Sequence, residues 1–239
     1  MPATRPVRFP LIALLAATAL AGCVAAVPPP SAPYPGAPVA GPPAGIAGFA
    51  AVAARVEPVA EAACRARDAL RNCDFAIAVD DRPDLPPNAF QTVDASGRPY
   101  LVFTGALVAM AQNADELAFV LGHEAAHHVA GHIPRRKDQA LTGAMLAGVL
   151  AQATGLSAEE VRAAQDVGAK LGAQKYSKEF ELEADRLGAQ IAWSAGFDPL
   201  RGAAFFDRLP DPGDRFLGSH PPNAQRKAVV AAAVREIGG

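Results

Sequence analysis

Hydrophobic and polar positions divide the chain into an N-terminal part without a regular repeat and a longer part with helix-like and strand-like patterns. Residues 9–21 form one continuous apolar run, and residues 25–48 are crowded with Pro, Gly and Ala. Beyond about residue 49, apolar positions recur at spacings typical of helices and short strands. Residues 49–239 are enough chain to bury a hydrophobic core, so the sequence predicts one folded domain there.

Short strand-like runs occupy the first part of this domain. Residues 75–79 alternate weakly, and residues 89–93 and 99–104 flank the turn-forming run DASGR at 94–98. The first run predicts a strand, and the other two predict a β-hairpin. Two interpretations of the hairpin stay open: one of its strands forms an edge to which an extended substrate peptide adds, or the hairpin is purely structural.

Helical patterns fill most of the remaining domain. Asn113 is a candidate N-cap with Glu116 three residues later, and a nearly all-round apolar helix follows until Gly131 and Pro134. Further helices are predicted over residues 139–156, 157–174, 177–195, 198–209 and 223–237. The segment 139–156 is apolar but too short to span a bilayer, so a packed or lid-like helix is expected. The predicted fold class is α+β, mostly helical with a small antiparallel β-sheet against the helix at 117–132.

The helix at 117–132 carries a metal-binding pattern. It places His123, Glu124 and His127 in the order H-E-x-x-H. Two histidines four residues apart share one helical face, so their imidazoles can converge on one ion. Glu124 points about 100° away, which keeps it out of the ligand set but beside a water on the metal. This arrangement predicts a zinc hydrolase; the alternative is a polar helix end with clustered histidines.

The predicted helix at 177–195 offers a third ligand. Hydrolytic zinc sites commonly take two histidines and one glutamate, which leaves a position for water, and Glu181 fits that role. Asp185 lies one turn later on the same face, where it can accept the outer N–H of His123 or His127 and fix the orientation of that ring. The alternative for Glu181 is an exposed acid on a solvated helix.

Two motifs together carry a family resemblance. HEAAHH at 123–128 and SKEFELEAD at 177–185 resemble the zinc metallopeptidase family that includes the HtpX-like bacterial proteases, the mitochondrial inner-membrane stress protease and the CAAX prenyl endopeptidases. The resemblance implies a zincin-like peptidase domain with one zinc ion per chain, the ligands named above, Glu124 as the base and Asp185 behind a ligand. Lys178 departs from the arginine that is more usual there, and the spanning helices of several relatives have no counterpart.

The resemblance also extends to both sides of these motifs. It places the family's N-A-F element, just before the edge strand, at Asn88, Ala89 and Phe90. Its H-P-P element begins at His220, which is expected to stabilise the oxyanion of the reaction, to occupy the open zinc position in a resting state, or only to precede the last helix. Arg226 is expected either to pair with Asp185 or to remain a surface charge. His128 and His132 are expected to lie on the same helix without binding metal.

The first 22 residues are typical of an export signal. Arg5 and Arg8 precede the apolar run, which closes with the small residues of LAGC at Cys23. The match resembles a bacterial lipobox and implies that Cys23 is lipidated after cleavage; an ordinary signal peptide is the alternative. Val24 favours an outer-membrane lipoprotein that faces the periplasm, with inner-membrane anchoring still open. Residues 23–48 then predict a semi-rigid tether between lipid and domain.

Charge and cysteine content narrow the function classes. The formal net charge is −2, and no basic patch indicates a nucleic-acid partner. With Cys23 assigned to lipid, Cys64 and Cys73 remain as a pair and predict a disulfide in an oxidising compartment.

The hypothesis is a membrane-anchored zinc endopeptidase acting on periplasmic or envelope proteins. The competing hypothesis is a lipoprotein that binds client proteins in the same cleft without hydrolysis. Neither the cleavage preference nor the oligomeric state is indicated.

Overall fold

The computed structural model describes residues 45–175, 177–211 and 220–238. The predicted signal peptide, Cys23 and most of the predicted tether lie outside the described residues. Helix α1 (Gly45–Arg67) begins within the last residues assigned to the tether. Within the described ranges, no helix combines the length and apolarity that a bilayer span requires.

A small three-stranded sheet follows α1. It contains β1 (Ala76–Asp80), β2 (Ala89–Val93) and β3 (Pro99–Thr104) in the order β1-β3-β2. β2 and β3 form the predicted antiparallel hairpin, whereas β1 pairs with β3 in parallel. The sheet is therefore mixed and not purely antiparallel, because the loop after β1 carries the chain past the position that β3 fills. β2 consequently stays at one edge.

The rest of the described chain is helical, which confirms the predicted α+β class. The elements are α2 (Gly105–Met110), α3 (Ala114–Val129), α4 (His132–Ala153), α5 (Ala158–Lys175), α6 (Ser177–Ser194), α7 (Pro199–Gly202), a 3-10 helix (Ala203–Arg208) and α8 (Asn223–Gly238). Helix α3 lies at the centre, between α1, α6, α7 and the sheet. Nearly all of its residues are buried, as its all-round apolar sequence predicts.

The N-terminus of α3 is fixed by several polar contacts. Asn113 Oδ1 accepts the N–H of Glu116 at 3.0 Å, which confirms the predicted N-cap. Glu116 reaches back to the N–H of Gln112 at 2.7 Å, one residue before the cap. The buried carboxylates of the first turn also form ion pairs, Asp115 with Arg201 of α7 and Glu116 with Arg208 of the 3-10 helix. The helix that carries the motif is thus anchored at its start.

The C-terminal end of α3 is a tight turn and not a long loop. Gly131 adopts a left-handed conformation with φ +68°, and α4 begins at the next residue, His132. Pro134 lies in the first turn of α4, where a missing backbone N–H costs nothing, and does not terminate α3. The turn therefore folds α4 back immediately beside the end of α3.

A disulfide holds the end of α1 near the end of α3. Cys64 and Cys73 are bonded, with a Cα–Cα distance of 5.7 Å, as predicted. Within the loop that they close, the Arg71 guanidinium donates to the backbone carbonyls of His128 and, at 2.9 Å, Val129. The disulfide loop therefore supports the C-terminal turn of α3, close to the metal-binding motif.

Candidate metal centre

Helices α3 and α6 approach closely because glycines lie at their contact. A Cβ on Gly188 would lie 2.7 Å from the backbone nitrogen of His123, and a Cβ on Gly122 would lie 2.6 Å from the carbonyl oxygen of Gly188. Any larger side chain at either position would force the helices apart. The glycines therefore allow the first turns of α6 to bring Glu181 beside the two histidines of α3.

The three predicted ligands meet at one point. His123 Nε2 lies 3.1 Å from His127 Nε2, and the carboxylate oxygens of Glu181 lie 3.6 and 3.5 Å from these two nitrogens. Donor atoms about 2.1 Å from a tetrahedral zinc ion lie about 3.4 Å from each other. The observed separations, the last two measured to different oxygens of Glu181, lie close to that value, so the three residues fit the donor set of a zinc ion.

The electrostatics of this cluster favour a positive charge where the donors meet. Burial opposes protonation of His123, but hydrogen bonds with Asp185 and Glu181 raise its pKa to about 10. Burial and the neighbouring His123 lower the pKa of His127 to about 3. Hydrogen bonds from His123 and His220 hold the pKa of Glu181 well below its ordinary value despite burial. His123 is therefore protonated at neutral pH, and its positive charge lies where a metal cation would bind between the donor atoms.

The outer nitrogen of His123 is held by a buried ion pair. His123 Nδ1 lies 2.9 Å from Asp185 Oδ1, so the structure places Asp185 on His123 and not on His127. Arg226 is buried and donates from Nε and one terminal nitrogen to both Asp185 oxygens at 2.7 Å. A carboxylate held in this bidentate way has a defined orientation, and it passes that orientation to the imidazole of His123.

The outer nitrogen of His127 is held by a residue that the sequence argument missed. His132 Nδ1 lies 2.8 Å from His127 Nδ1, and His132 Nε2 lies 3.2 Å from Glu183 Oε2. Arg135 and Arg67 also donate to the Glu183 carboxylate, at 2.7 and 2.9 Å. We expected His132 to have no role at the site, but it contacts the outer nitrogen of His127 and so supports a candidate ligand.

Protons can be assigned consistently along the hydrogen-bond series from His127 through His132 to Glu183. If His127 Nε2 offers its lone pair to a metal, its Nδ1–H donates to the lone pair on His132 Nδ1. His132 then carries its proton on Nε2 and donates to the Glu183 carboxylate. Hydrogen bonds from His132 and Arg135 lower the pKa of Glu183 to about 2, so this carboxylate is ionised at neutral pH. Each donor in the chain has one acceptor.

A cleft of about 590 Å³ opens beside the cluster. Glu124 lines it, and burial raises the pKa of this carboxyl to about 7. The edge strand β2 forms one wall, where Ala89 and Phe90, the first two residues of the strand, and Asn88 just before it line the cleft. His220 lies at the rim, largely exposed, with Nδ1 3.1 Å from Glu181 Oε2. The candidate ligands, Glu124, His220 and the residues at the start of β2 therefore surround one opening, and Asp185 is buried behind His123.

The sequence of the chain is similar to the sequences of known metallopeptidases. The family model described as Peptidase family M48 matches residues 49–234. The mitochondrial metalloendopeptidase OMA1 of Arabidopsis thaliana is 32% identical over 137 residues, which cover 56% of this chain and 27% of that protein. The beta-barrel assembly-enhancing proteases of Escherichia coli and Yersinia pestis are each 30% identical over 129 and 132 residues, covering 51% of this chain and 26% of each relative. The chain thus spans about a quarter of the length of the curated relatives it matches.

Proposed function

The chain belongs to peptidase family M48, and we propose that it is a zinc-dependent endopeptidase that cleaves proteins of the periplasm or cell envelope. The resemblance to the HtpX-like metallopeptidases in the sequence is confirmed by the family match. The observation that carries the proposal is the convergence of His123, His127 and Glu181, with mutual separations of 3.1 to 3.6 Å, beside the carboxyl of Glu124 in an open cleft.

His123, His127 and Glu181 would hold one zinc ion per chain. Two neutral imidazoles and one carboxylate leave a zinc ion with net positive charge, so it supplies Lewis-acid chemistry that polarises a peptide carbonyl and makes water nucleophilic near neutral pH. Asp185, backed by Arg226, orients the first histidine. His132 orients the second histidine, so both imidazoles are held with their Nε2 atoms toward the cleft.

Glu124 is the proposed general base. Its side chain lines the cleft next to the candidate ligands, and its pKa of about 7 lets it exchange protons at neutral pH. Glu124 takes a proton from the attacking water and delivers it to the leaving amine. His220 is the proposed donor to the oxyanion, because it lies at the rim of the same cleft beside Glu181.

The edge strand β2 is the proposed substrate platform. It has β3 on one side only, and Asn88, Ala89 and Phe90 line the cleft on the other. A peptide that adds to this edge in extended conformation forms main-chain hydrogen bonds whatever its side chains, which suits a protease acting on unfolded segments. The edge-strand interpretation of the hairpin is therefore the one we propose.

Location follows from the N-terminal residues and from the names of relatives. We infer that residues 1–22 are a cleaved signal peptide, that Cys23 carries the lipid, and that residues 49–239 form the peptidase domain at the end of the tether. An outer-membrane lipoprotein facing the periplasm meets envelope proteins, and bacterial relatives are named for the assembly of β-barrels. Quality control of envelope proteins is the proposed role.

Cleavage of casein by purified protein tests the proposal. Wild type should carry one zinc ion and cleave casein; Glu124→Gln should keep the ion and lose at least about 100-fold in rate. Glu179→Gln, an exposed acid on α6, is the matched control and should stay active. Bound zinc without cleavage by wild type would favour the non-hydrolytic client-binding lipoprotein. Loss of the far-UV signal on chelation would indicate a structural metal.

A further inference from the structure

The α4–α5 hairpin exposes large apolar side chains. On α4, Leu141, Met145, Leu146, Val149 and Leu150 are each 63–69% exposed. Adjacent pairs at 145–146 and 149–150 and steps of three or four residues spread them over the side of α4 that does not contact α5. Soluble proteins rarely expose contiguous apolar surface of this kind unless something binds it. The expected packed helix is thus packed at its start against α3 and α6 and along its length against α5, and the surface that carries these side chains is exposed.

Helix α5 extends this surface on one side. Val167 and Leu171 are one turn apart and exposed, while Arg162, Asp166 and Lys170 share a different strip of the helix. Helical periodicity and the antiparallel pairing of the helices place the two apolar residues on the same side of the hairpin as Leu146 and Leu150. We call this side, defined by Leu146, Leu150, Val167 and Leu171, the apolar face.

Backbone packing explains why these side chains point outward. A Cβ on Gly143 would lie 2.1 Å from the carbonyl oxygen of Gly168, and one on Gly148 would lie 2.6 Å from Gln165. The helices meet so closely at these glycines, with the Gln165 side chain against Gly148, that a larger side chain in place of a glycine would not fit between them. Residues 139–158 also contain no charged residue. The exposure is therefore a built feature of the hairpin.

The hairpin is joined to the candidate metal centre at its base. Helix α4 begins at His132, which contacts His127, and Arg136 in its first turns lines the cleft. The end of α1 lies at the same place, because Arg67 contacts Glu183 at 2.9 Å. A surface that binds the apolar face is therefore connected to the cleft through the first turns of α4.

We propose that the apolar face lies on the surface of the phospholipid bilayer to which the chain is anchored. This inference rests on the proposed function for the lipid on Cys23. The 21 residues 24–44 reach about 65 Å when extended, at about 3.1 Å per residue, and α1 is about 34 Å long. The tether is longer than α1, so lipid and hairpin can contact the same bilayer at once, each raising the local concentration of the other.

The chemistry of the apolar face fits acyl chains better than a protein partner. Its side chains are leucine and valine, whereas the cores of protein interfaces are enriched in aromatic residues and arginine. Helices that lie in the plane of a bilayer bury an aliphatic face of this kind to a shallow depth. Arg136, in the first turns of α4, is exposed and lies within about 80° of Leu146 and Leu150 by helical periodicity, so it provides a charge complementary to lipid phosphates.

Vesicle flotation with the mature, non-lipidated chain, residues 23–239 produced without the signal peptide, tests this inference. In a Cys23→Ser background, the parent should float with vesicles of phosphatidylethanolamine and phosphatidylglycerol. Leu146→Gln combined with Leu150→Gln should lower the bound fraction about tenfold or more. Leu70→Gln combined with Leu200→Gln removes leucines that are 99% and 49% exposed elsewhere, and should change binding less than about twofold.

Other readouts separate this inference from the proposed function. Glu124→Gln should float like the parent, and the hairpin variant should keep its zinc and its casein cleavage, so failure of one proposal leaves the other intact. A fluorophore sensitive to polarity on Ala153→Cys should shift to the blue with vesicles, and one on Ala54→Cys should not. Equal flotation of hairpin and control variants would overturn the inference. So would a dimer that the hairpin variant dissociates while no variant binds vesicles.

Discussion

Replacement of His132 by alanine should weaken metal binding without removing a ligand. In the wild type, His127 Nδ1–H donates to His132, whose other nitrogen donates to Glu183. After the substitution, the outer N–H of His127 has lost its acceptor in a buried site, and its ring loses one of the contacts that set its orientation.

The expected magnitude follows from this support role. Loss of the outer partner of a metal-bound histidine typically lowers metal affinity 10- to 100-fold, which corresponds to about 1.4 to 2.8 kcal/mol. The substitution also removes a ring stacked on Phe180, with centroids 4.5 Å apart, so folding stability falls as well. A matched control must therefore separate the loss of affinity from the loss of stability.

His128 provides that control. It is buried on α3 next to His127, its Nε2 contacts the carbonyl oxygen of Asn72 at 2.8 Å, and its ring packs edge-on against Phe75. His128→Ala should destabilise the fold to a similar extent but leave zinc affinity unchanged. Competition with a chromophoric chelator gives the affinities, and the visible spectrum of the cobalt-substituted protein reports the geometry of the ligands.

His132→Asn keeps a hydrogen-bond acceptor and should recover part of the lost affinity. If His132→Ala binds zinc within about twofold of wild type, or if His128→Ala loses as much affinity, the proposed orientation of His127 by His132 is wrong.

Three further substitutions test the scaffold of the site. Gly188→Ala should cost about 1–3 kcal/mol of stability in urea unfolding and weaken zinc binding, because its methyl would lie 2.7 Å from the backbone nitrogen of His123. Glu183 has a folded pKa of about 2 against 4.5, so its stabilising effect is present above pH 4.5 and lost as the pH falls towards 2. The unfolding free energies of wild type and Glu183→Gln should accordingly converge over that interval in acid. Replacing Cys64 and Cys73 together by alanine should lower stability by about 2–3 kcal/mol in urea unfolding; an unchanged midpoint would contradict the supporting role of this loop.

The parts of the fold that the sequence predicts correctly are those with local signals. The cap at Asn113 and the hairpin around residues 94–98 each depend on residues close together in the chain. The candidate ligands combine two local helical patterns, and the chemistry of zinc then links them across 54 residues of chain. For this reason the sequence alone indicates His123, His127 and Glu181 as one candidate ligand set.

The parts that could not be predicted depend on contacts between distant residues. The parallel pairing of β1 with β3 could not be predicted, because the sequence of neither strand indicates which other strand it pairs with. His132 comes five residues after His127, which is not a helical spacing, and only the left-handed turn at Gly131 returns its ring to the site. The glycine of that turn was the available signal. The exposure of apolar side chains on α4 could not be predicted, because the sequence places apolar residues on every side of that helix.

Zinc stoichiometry of the purified chain tests the central claim most directly. Metal analysis should find one zinc ion per chain in wild type, in Glu124→Gln and in the control Glu179→Ala, and a large loss in Glu181→Ala. Wild-type protein that takes up no stoichiometric zinc, or Glu181→Ala that retains the full amount, would contradict the assignment of His123, His127 and Glu181 as the metal centre.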